Sequence, residues 1–400
     1  MTLEAQLREI AQSADLAAIG FCSADPFAKI EQSLREAVRS GRSGSLGFTF
    51  SDPATASDPR ASFDWAASLV SVAYAYLPQG GRPPDATEGV GRVARFATED
   101  HYVALRSALD LLCETLVSEG YRAEVLCDDS RLVDRAAAVR AGIAWWGKST
   151  MALAPGSGPW MLLGSVVTDA ALTSDEPMQR DCGLCSTCIP ACPTGAIVAP
   201  GVLDARRCLA AIAQSGGAIP IEFRQAMGDR VYGCDECLAA CPPGERLAAS
   251  ATVESGGVDL LQMLAMADRP LRRRFAHFYV ERNKARFLRR NAIVALGNAE
   301  ASRFTGILAG VLGHPDSLLR AHAAWALGRS GDPVAAAALR AAKIAERTAD
   351  VVAEIDAALV ALGGDIGDVE GEVGVPPART QDKGEPSVLR GRGQAGRPGR

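Results

Sequence analysis

The sequence predicts an α/β domain, then a ferredoxin-like segment holding two four-iron clusters, then an α-helical HEAT-like repeat domain. Three observations carry this reading. Strand-like and helix-like stretches alternate over the first third of the chain. Eight of the eleven cysteines lie between residues 182 and 241. Beyond them, short Ala- and Leu-rich stretches recur at a fixed spacing.

The first part spans roughly residues 1–172. Residues 3–13 and 26–40 carry apolar side chains at helical spacing, and SLVSVAYAYL (68–77) reads as a buried strand ending at Pro78. Residues 79–91 are rich in Gly and Pro and read as a loop. HYVALRSALDLLCETLVSEG (101–120) is an amphipathic helix stopped by Gly120. YRAEVLCD reads as a strand, RLVDRAAAVRAG as a helix stopped by Gly142, and WMLLGSVVTD (160–169) as a further strand.

The composition is that of a globular chain, with 48% hydrophobic and 22% charged residues. Its net charge of -5 excludes a protein that is basic overall. The N-terminus lacks the basic and apolar regions of a secretory signal, and no run is long and apolar enough to span a membrane. A cytoplasmic location follows, and there cysteines serve as metal ligands more readily than as disulfides.

The cysteine segment occupies about 173–248. Cys182, Cys185, Cys188 and Cys192 stand at C-x2-C-x2-C-x3-C, followed by Pro193. In two-cluster ferredoxins the first three such thiolates hold one cubane and the fourth reaches the other. Cys234, Cys237 and Cys241, followed by Pro242, repeat the run without its first cysteine, whose place Val231 takes. Cys208 is the natural replacement. One cluster is then Cys182, Cys185, Cys188 and Cys241, and the other Cys192, Cys208, Cys234 and Cys237. Two zinc sites would also use C-x2-C pairs, but zinc does not require the longer run. Cys22, Cys113 and Cys127 remain, and read as buried structural thiols.

In the third part, about 249–364, RRNAIVALGN (289–298) and RAHAAWALGR (320–329) are alike, with Leu296 and Leu327 set 31 residues apart. AALVALGG (357–364) is a weaker third copy. Repeats of this size read as a short solenoid, with a plain helical bundle as the alternative. Residues 365–400 are rich in Gly, Pro, Glu and Arg without periodicity and read as a disordered tail. RPLRRRFAHFYVERNKARFLRR (269–290) contains nine Arg or Lys against a single acid, Glu281. Interleaved with Phe and Tyr, it reads as either a solvated helix face or a nucleic-acid contact through Arg272, Arg273, Arg274, Lys284 and Arg289.

Four motifs in order resemble the tRNA epoxyqueuosine reductase family. They are LCDDSRLVDRAAAVRAGIAWWGKST (126–150), CGLCSTCIPACPTGAI with DARRC, GDRVYGCDECLAACP, and RRNAIVALGN. The resemblance spans about residues 5–330 and implies a nitroreductase-like α/β domain that binds cobalamin, related to the reductive dehalogenases. It implies reduction of epoxyqueuosine to queuosine at the tRNA wobble position. Electrons would pass from an external low-potential donor through two [4Fe-4S] clusters to cobalamin. The family's proton-donating aspartate falls on Asp128, although DDS before a helix is also a strong N-cap signal. Asp129 is the more cap-like neighbour, and Asp134 with Arg135 reads as an ion pair on the helix.

Arg95, with Phe96, matches an Arg-Tyr pair lining the cofactor, and Ala152 and Leu163 align with cofactor-contacting positions. Trp146 belongs to a Gly-flanked aromatic loop that would either wall the corrin or fill a core, and Lys148 would reach a phosphate or amide of the cofactor. The tRNA substrate favours the nucleic-acid reading of the basic stripe, and a monomer is expected. The chain departs from the family pattern at Asp129, at Arg131 in place of proline, and in LAAIAQSGG after Cys208. Two other classes of function stay open on these residues. One is an iron–sulfur electron-transfer protein without cobalamin; the other is a cobalamin-dependent reductase of another small substrate.

Overall fold

The computed structural model describes residues 1–77, 89–250, 257–299 and 301–363. Most of the 79–91 loop and the whole of the expected tail therefore lie outside the described residues. The first part is built on a four-stranded sheet in the order Ala18–Ser23, Ser68–Ala75, Met161–Thr168, Ala123–Leu126. Every neighbouring pair is antiparallel. Ser68–Ala75 is internal to the sheet, with both faces covered, which is why its residues 68–73 are all buried instead of alternating.

One face carries the helices Leu3–Ser13 and His101–Ser118. The second presents Leu105, Leu109, Leu112 and Leu116, all fully buried, to Phe21, Val70, Val72 and Val166. The opposite face is covered by the short helix Asp134–Arg140, whose Ala136 and Ala137 pack beside Leu69, Leu126 and Val167. Small side chains there let a short helix sit close on the sheet, and its N-terminal end points the preceding loop, with Asp128, toward a cleft.

A second sheet places Val90–Val93 between Arg230–Tyr232, parallel to it, and Gly257–Asp259, antiparallel to it. Each strand comes from a different one of the three sequence segments, and Met1–Asp365 forms one compact unit. Val231, standing in place of a cysteine, is a fully buried residue of this sheet.

Helices Ala285–Asn298, Ser317–Gly328 and Ala349–Ala361 pack one against the next. The repeated Leu-Gly pair explains the spacing. Leu296 and Leu327 are fully buried, and a Cβ at Gly297 would stand 2.7 Å from that of Ala326. At Gly328 it would stand 2.8 Å from the Cα of Ala358. Glycine is what lets the helices approach this far. Gly328→Val is expected to destabilise the protein by about 1–3 kcal/mol through overpacking, seen as a lowered Tm with cluster content unchanged. An unchanged Tm would show that the helices can part freely.

The first of these helices is tied to the cysteine segment. Arg290 is fully buried, and its guanidinium donates to the carbonyls of Ile212, Ala213, Ser215 and Gly217. Asn291 donates to the carbonyls of Ala213 and Val231, both at 2.8 Å.

Candidate functional site

The fold draws eight thiols into two quartets that cross between the cysteine runs. The Cys241 thiol is pushed up by burial and by the charges of Cys182, Cys188 and Cys185. The Cys237 thiol is pushed up by burial and by Cys208, Cys234 and Cys192, with Asp235 adding to them. Repulsion of this kind needs the sulfurs to share a small space. Cys182, Cys185, Cys188 and Cys241 thus meet in one place, and Cys192, Cys208, Cys234 and Cys237 in another. Cys192 Sγ also accepts a hydrogen bond from the Ala196 N–H at 3.2 Å.

Among the described residues, no three His, Cys, Asp or Glu side chains are gathered as a single metal ion requires. Of the other cysteines, Cys22 is buried as expected, and burial raises its thiol to about 12. Cys113 and Cys127 are only half-buried, so the expectation of three buried thiols holds for one.

A cleft of about 230 Å³ opens beside the strand Met161–Thr168, and Tyr102, Asp128, Asp134, Met151, Ala152 and Leu163 are among the residues that line it. Asp128 has φ +52°, a left-handed conformation that Asp adopts more readily than most residues. Burial raises its pKa, Arg106 opposes the rise, and Asp129 adds to it. Asp129 is the turn residue. Its carboxylate accepts from the Arg131 N–H at 2.9 Å and pairs with the guanidinium at 2.7 Å. The two roles that compete for Asp128 in the sequence are thereby divided between adjacent aspartates. The expected Asp134–Arg135 ion pair does not form. Arg135 donates to the Thr150 carbonyl at 3.0 Å, while Asp134 Oδ1 is buried without a hydrogen-bond partner.

Arg95 starts the short turn Arg95–Ala97. Its N–H donates to Asp235 Oδ2 at 2.7 Å, and its guanidinium lies 5.0 Å from the centroid of the Trp160 ring. Its Nη1 is buried without a partner. Asp235, between Cys234 and Cys237, is raised by burial to about 6. Trp146 and Lys148 do not join the cleft. The reversal after Gly147 carries Lys148 to the first cysteine run, where its Nζ donates to the Gly183 carbonyl at 2.7 Å. Trp146 is 39% exposed.

Arg272, Arg273, Arg274 and Lys284 are exposed. Arg289 is not part of that face. It lies on the inward side of its helix, where its guanidinium donates to Asp268 Oδ1 and to the Met266 carbonyl, both at 2.5 Å. Aromatic contacts tie the stripe to the strand Arg230–Tyr232. The Tyr279 N–H donates to the Tyr232 hydroxyl at 2.7 Å, and Tyr232 stacks on Phe278 with centroids 4.3 Å apart. The Tyr232 phenol is raised by burial and also by the charge of Asp128. Sequence reasoning missed Tyr102, Tyr232 and Asp235; only the position of the last two beside the second cysteine run marked them.

Both the sequence and the fold have known relatives. Residues 181–244 match the 4Fe-4S double cluster binding domain, and residues 282–360 match HEAT repeats. The chain is 33% identical to the epoxyqueuosine reductase of Bacillus subtilis (strain 168) over 368 residues, 88% of this chain and 94% of that one. The chain belongs to the epoxyqueuosine reductase family. It is 31% identical to the epoxyqueuosine reductase of Bacillus anthracis over 86% of this chain and 93% of that one. It also superposes, with a TM-score of 0.83 and 32% identity, on a crystal structure of an epoxyqueuosine reductase with a tRNA-Tyr epoxyqueuosine-modified stem loop. That match covers 90% of this chain and 99% of the other. As a member of the epoxyqueuosine reductase family, the chain is an oxidoreductase with two 4Fe-4S clusters in its middle segment and HEAT repeats behind them. Among the described residues, no helix is long and apolar enough to cross a membrane.

Proposed function

We propose that this chain reduces epoxyqueuosine to queuosine at the wobble position of tRNA. Electrons come from an external low-potential donor and pass through the two clusters to cobalamin. The observation that carries the reading is Asp128, a carboxyl whose pKa is raised by burial and which lines a cleft, in a chain that also carries an exposed basic stripe. Cys182, Cys185, Cys188 and Cys241 are assigned to one cluster, and Cys192, Cys208, Cys234 and Cys237 to the other. Cytoplasmic conditions keep such thiolates reduced, and the chain is taken to act there as a monomer.

The cleft residues fit cobalamin. Ala152, Met161 and Leu163 offer an apolar wall for a flat macrocycle. Arg95, which is not among the lining residues, holds a buried Nη1 donor that lacks an acceptor. Cobalamin, when bound, supplies the cobalt-centred reducing chemistry. The chain's own groups do the rest. Asp128 holds a proton for the epoxide oxygen, a role that its raised pKa favours. Arg272, Arg273, Arg274 and Lys284 neutralise phosphates of the anticodon arm.

The test is anaerobic turnover with reconstituted clusters, cobalamin and a chemical reductant on a stem loop bearing epoxyqueuosine. Mass spectrometry of the nucleosides should show loss of one oxygen. A fully reduced, fully loaded enzyme that leaves the epoxide intact would refute the reading. Replacing Arg272, Arg273 and Arg274 together by Ala should weaken stem-loop binding and lower its salt slope by roughly 0.7 for each phosphate no longer neutralised. Arg289→Ala should instead lower Tm, because it removes the hydrogen bonds of a buried guanidinium to Asp268 and the Met266 carbonyl.

A further inference from the structure

Deoxygenating an epoxide breaks two C–O bonds, forms one C=C bond, and releases the oxygen as water. The balance requires two electrons and two protons. The bound cofactors would supply the electrons, but one carboxyl supplies only one proton. The cleft contains a second.

We propose that Asp134 is the second acid of the site. In this scheme, which rests on the epoxyqueuosine reading, Asp128 protonates the epoxide oxygen as the first C–O bond opens. Asp134 protonates the resulting hydroxyl as the second bond breaks, so that water leaves and the alkene remains.

Three observations support this. Asp134 lines the same cleft as Asp128, at the start of the helix Asp134–Arg140. Its Oδ1 is buried and unpartnered, a costly arrangement for a carboxylate unless it holds a proton or meets a ligand. Arg135, the cation beside it in the chain, donates to the Thr150 carbonyl. The surrounding groups push in one direction. Burial, Asp128 and Asp129 raise Asp134 well above the ordinary carboxylate range, and only Arg135 opposes them. From the facing helix His101–Ser118, Tyr102 lines the cleft as a neutral hydroxyl, its pKa raised by burial and then by Asp128, Cys127 and Asp134. The same helix supplies Arg106, whose charge acts on Asp128 and Cys127.

The test compares Asp134→Asn and Asp134→Glu with the wild type. Asp134→Asn should retain iron, cobalamin and stem-loop affinity, and lose turnover by about 10²-fold or more. The residual rate should keep a single alkaline limb, that of Asp128, where the wild type needs both acids protonated. Asp134→Glu should restore turnover to within about tenfold. Infrared difference spectra of substrate-free protein at neutral pH, wild type minus Asp134→Asn, should show the carbonyl stretch of one protonated carboxylic acid. Wild-type rates in Asp134→Asn, or the absence of that band, would overturn the proposal. So would loss of cofactors in Asp134→Asn that Asp134→Glu does not repair. If the wild type itself left the epoxide intact, the substrate reading would fail, while the infrared band would still decide whether Asp134 carries a proton to give.

Discussion

Asp128→Asn is expected to leave both clusters and cobalamin in place and to abolish turnover. Asn is nearly isosteric, and it is the other residue that accepts a left-handed backbone with little strain, so the turn at φ +52° should survive. What it cannot do is give up a proton. General acid catalysis contributes about 10²–10⁴-fold, and the loss should fall in that range or beyond it. The pH dependence gives a second measure. Activity needs the protonated carboxyl, so the rate should fall as pH rises through the pKa of Asp128. Arg106 holds that pKa down; Arg106→Gln removes the opposing charge, lets the pKa rise, and should move the limb to higher pH. Asp129→Asn should keep most activity, because an amide oxygen can still accept from the Arg131 N–H. Stopped-time assays across pH on all three variants decide the matter, and an active Asp128→Asn would sink the assignment.

Cys208→Ala should empty one cluster and stop turnover. Iron content is expected to drop from roughly eight to roughly four atoms per chain. The crossing of the quartets makes a sharper prediction. Cys192→Ala should resemble Cys208→Ala in its redox titration, although Cys192 belongs to the first run. Cys241→Ala should resemble Cys188→Ala, although Cys241 closes the second. Pairing by run instead of across runs in these titrations would contradict the assignment.

How much of this is legible in the sequence depends on the range of the determining interaction. The two cysteine runs are legible because ligand spacing within a run is local. The helical repeat is legible for a similar reason: a glycine recurs wherever two helices must touch. Asp128 and Asp129 are not separable by residue type, since either can close a turn, and the choice is made by Arg131 reaching back to one of them. Arg289 and Arg290 read as surface in a basic run because helix phase decides which cations face inward, and the run's charge hides its apolar period. Lys148 is misplaced for a longer-range reason. Its partner, the Gly183 carbonyl, sits on a loop 35 residues away. The antiparallel order of the main sheet likewise rests on strands distant in sequence.

The small sheet that joins Val90–Val93 to Arg230–Tyr232 and Gly257–Asp259 bears on how the molecule is made. The middle strand emerges from the ribosome long before either neighbour exists, and contacts of such sequence separation form slowly. Until Asp259 has been synthesised, the strand keeps an open edge, the feature through which chains pair wrongly with one another. All eight thiols have by then been made, so metal loading competes in time with closure of the sheet. Cluster delivery and strand pairing therefore fall in the same interval of synthesis.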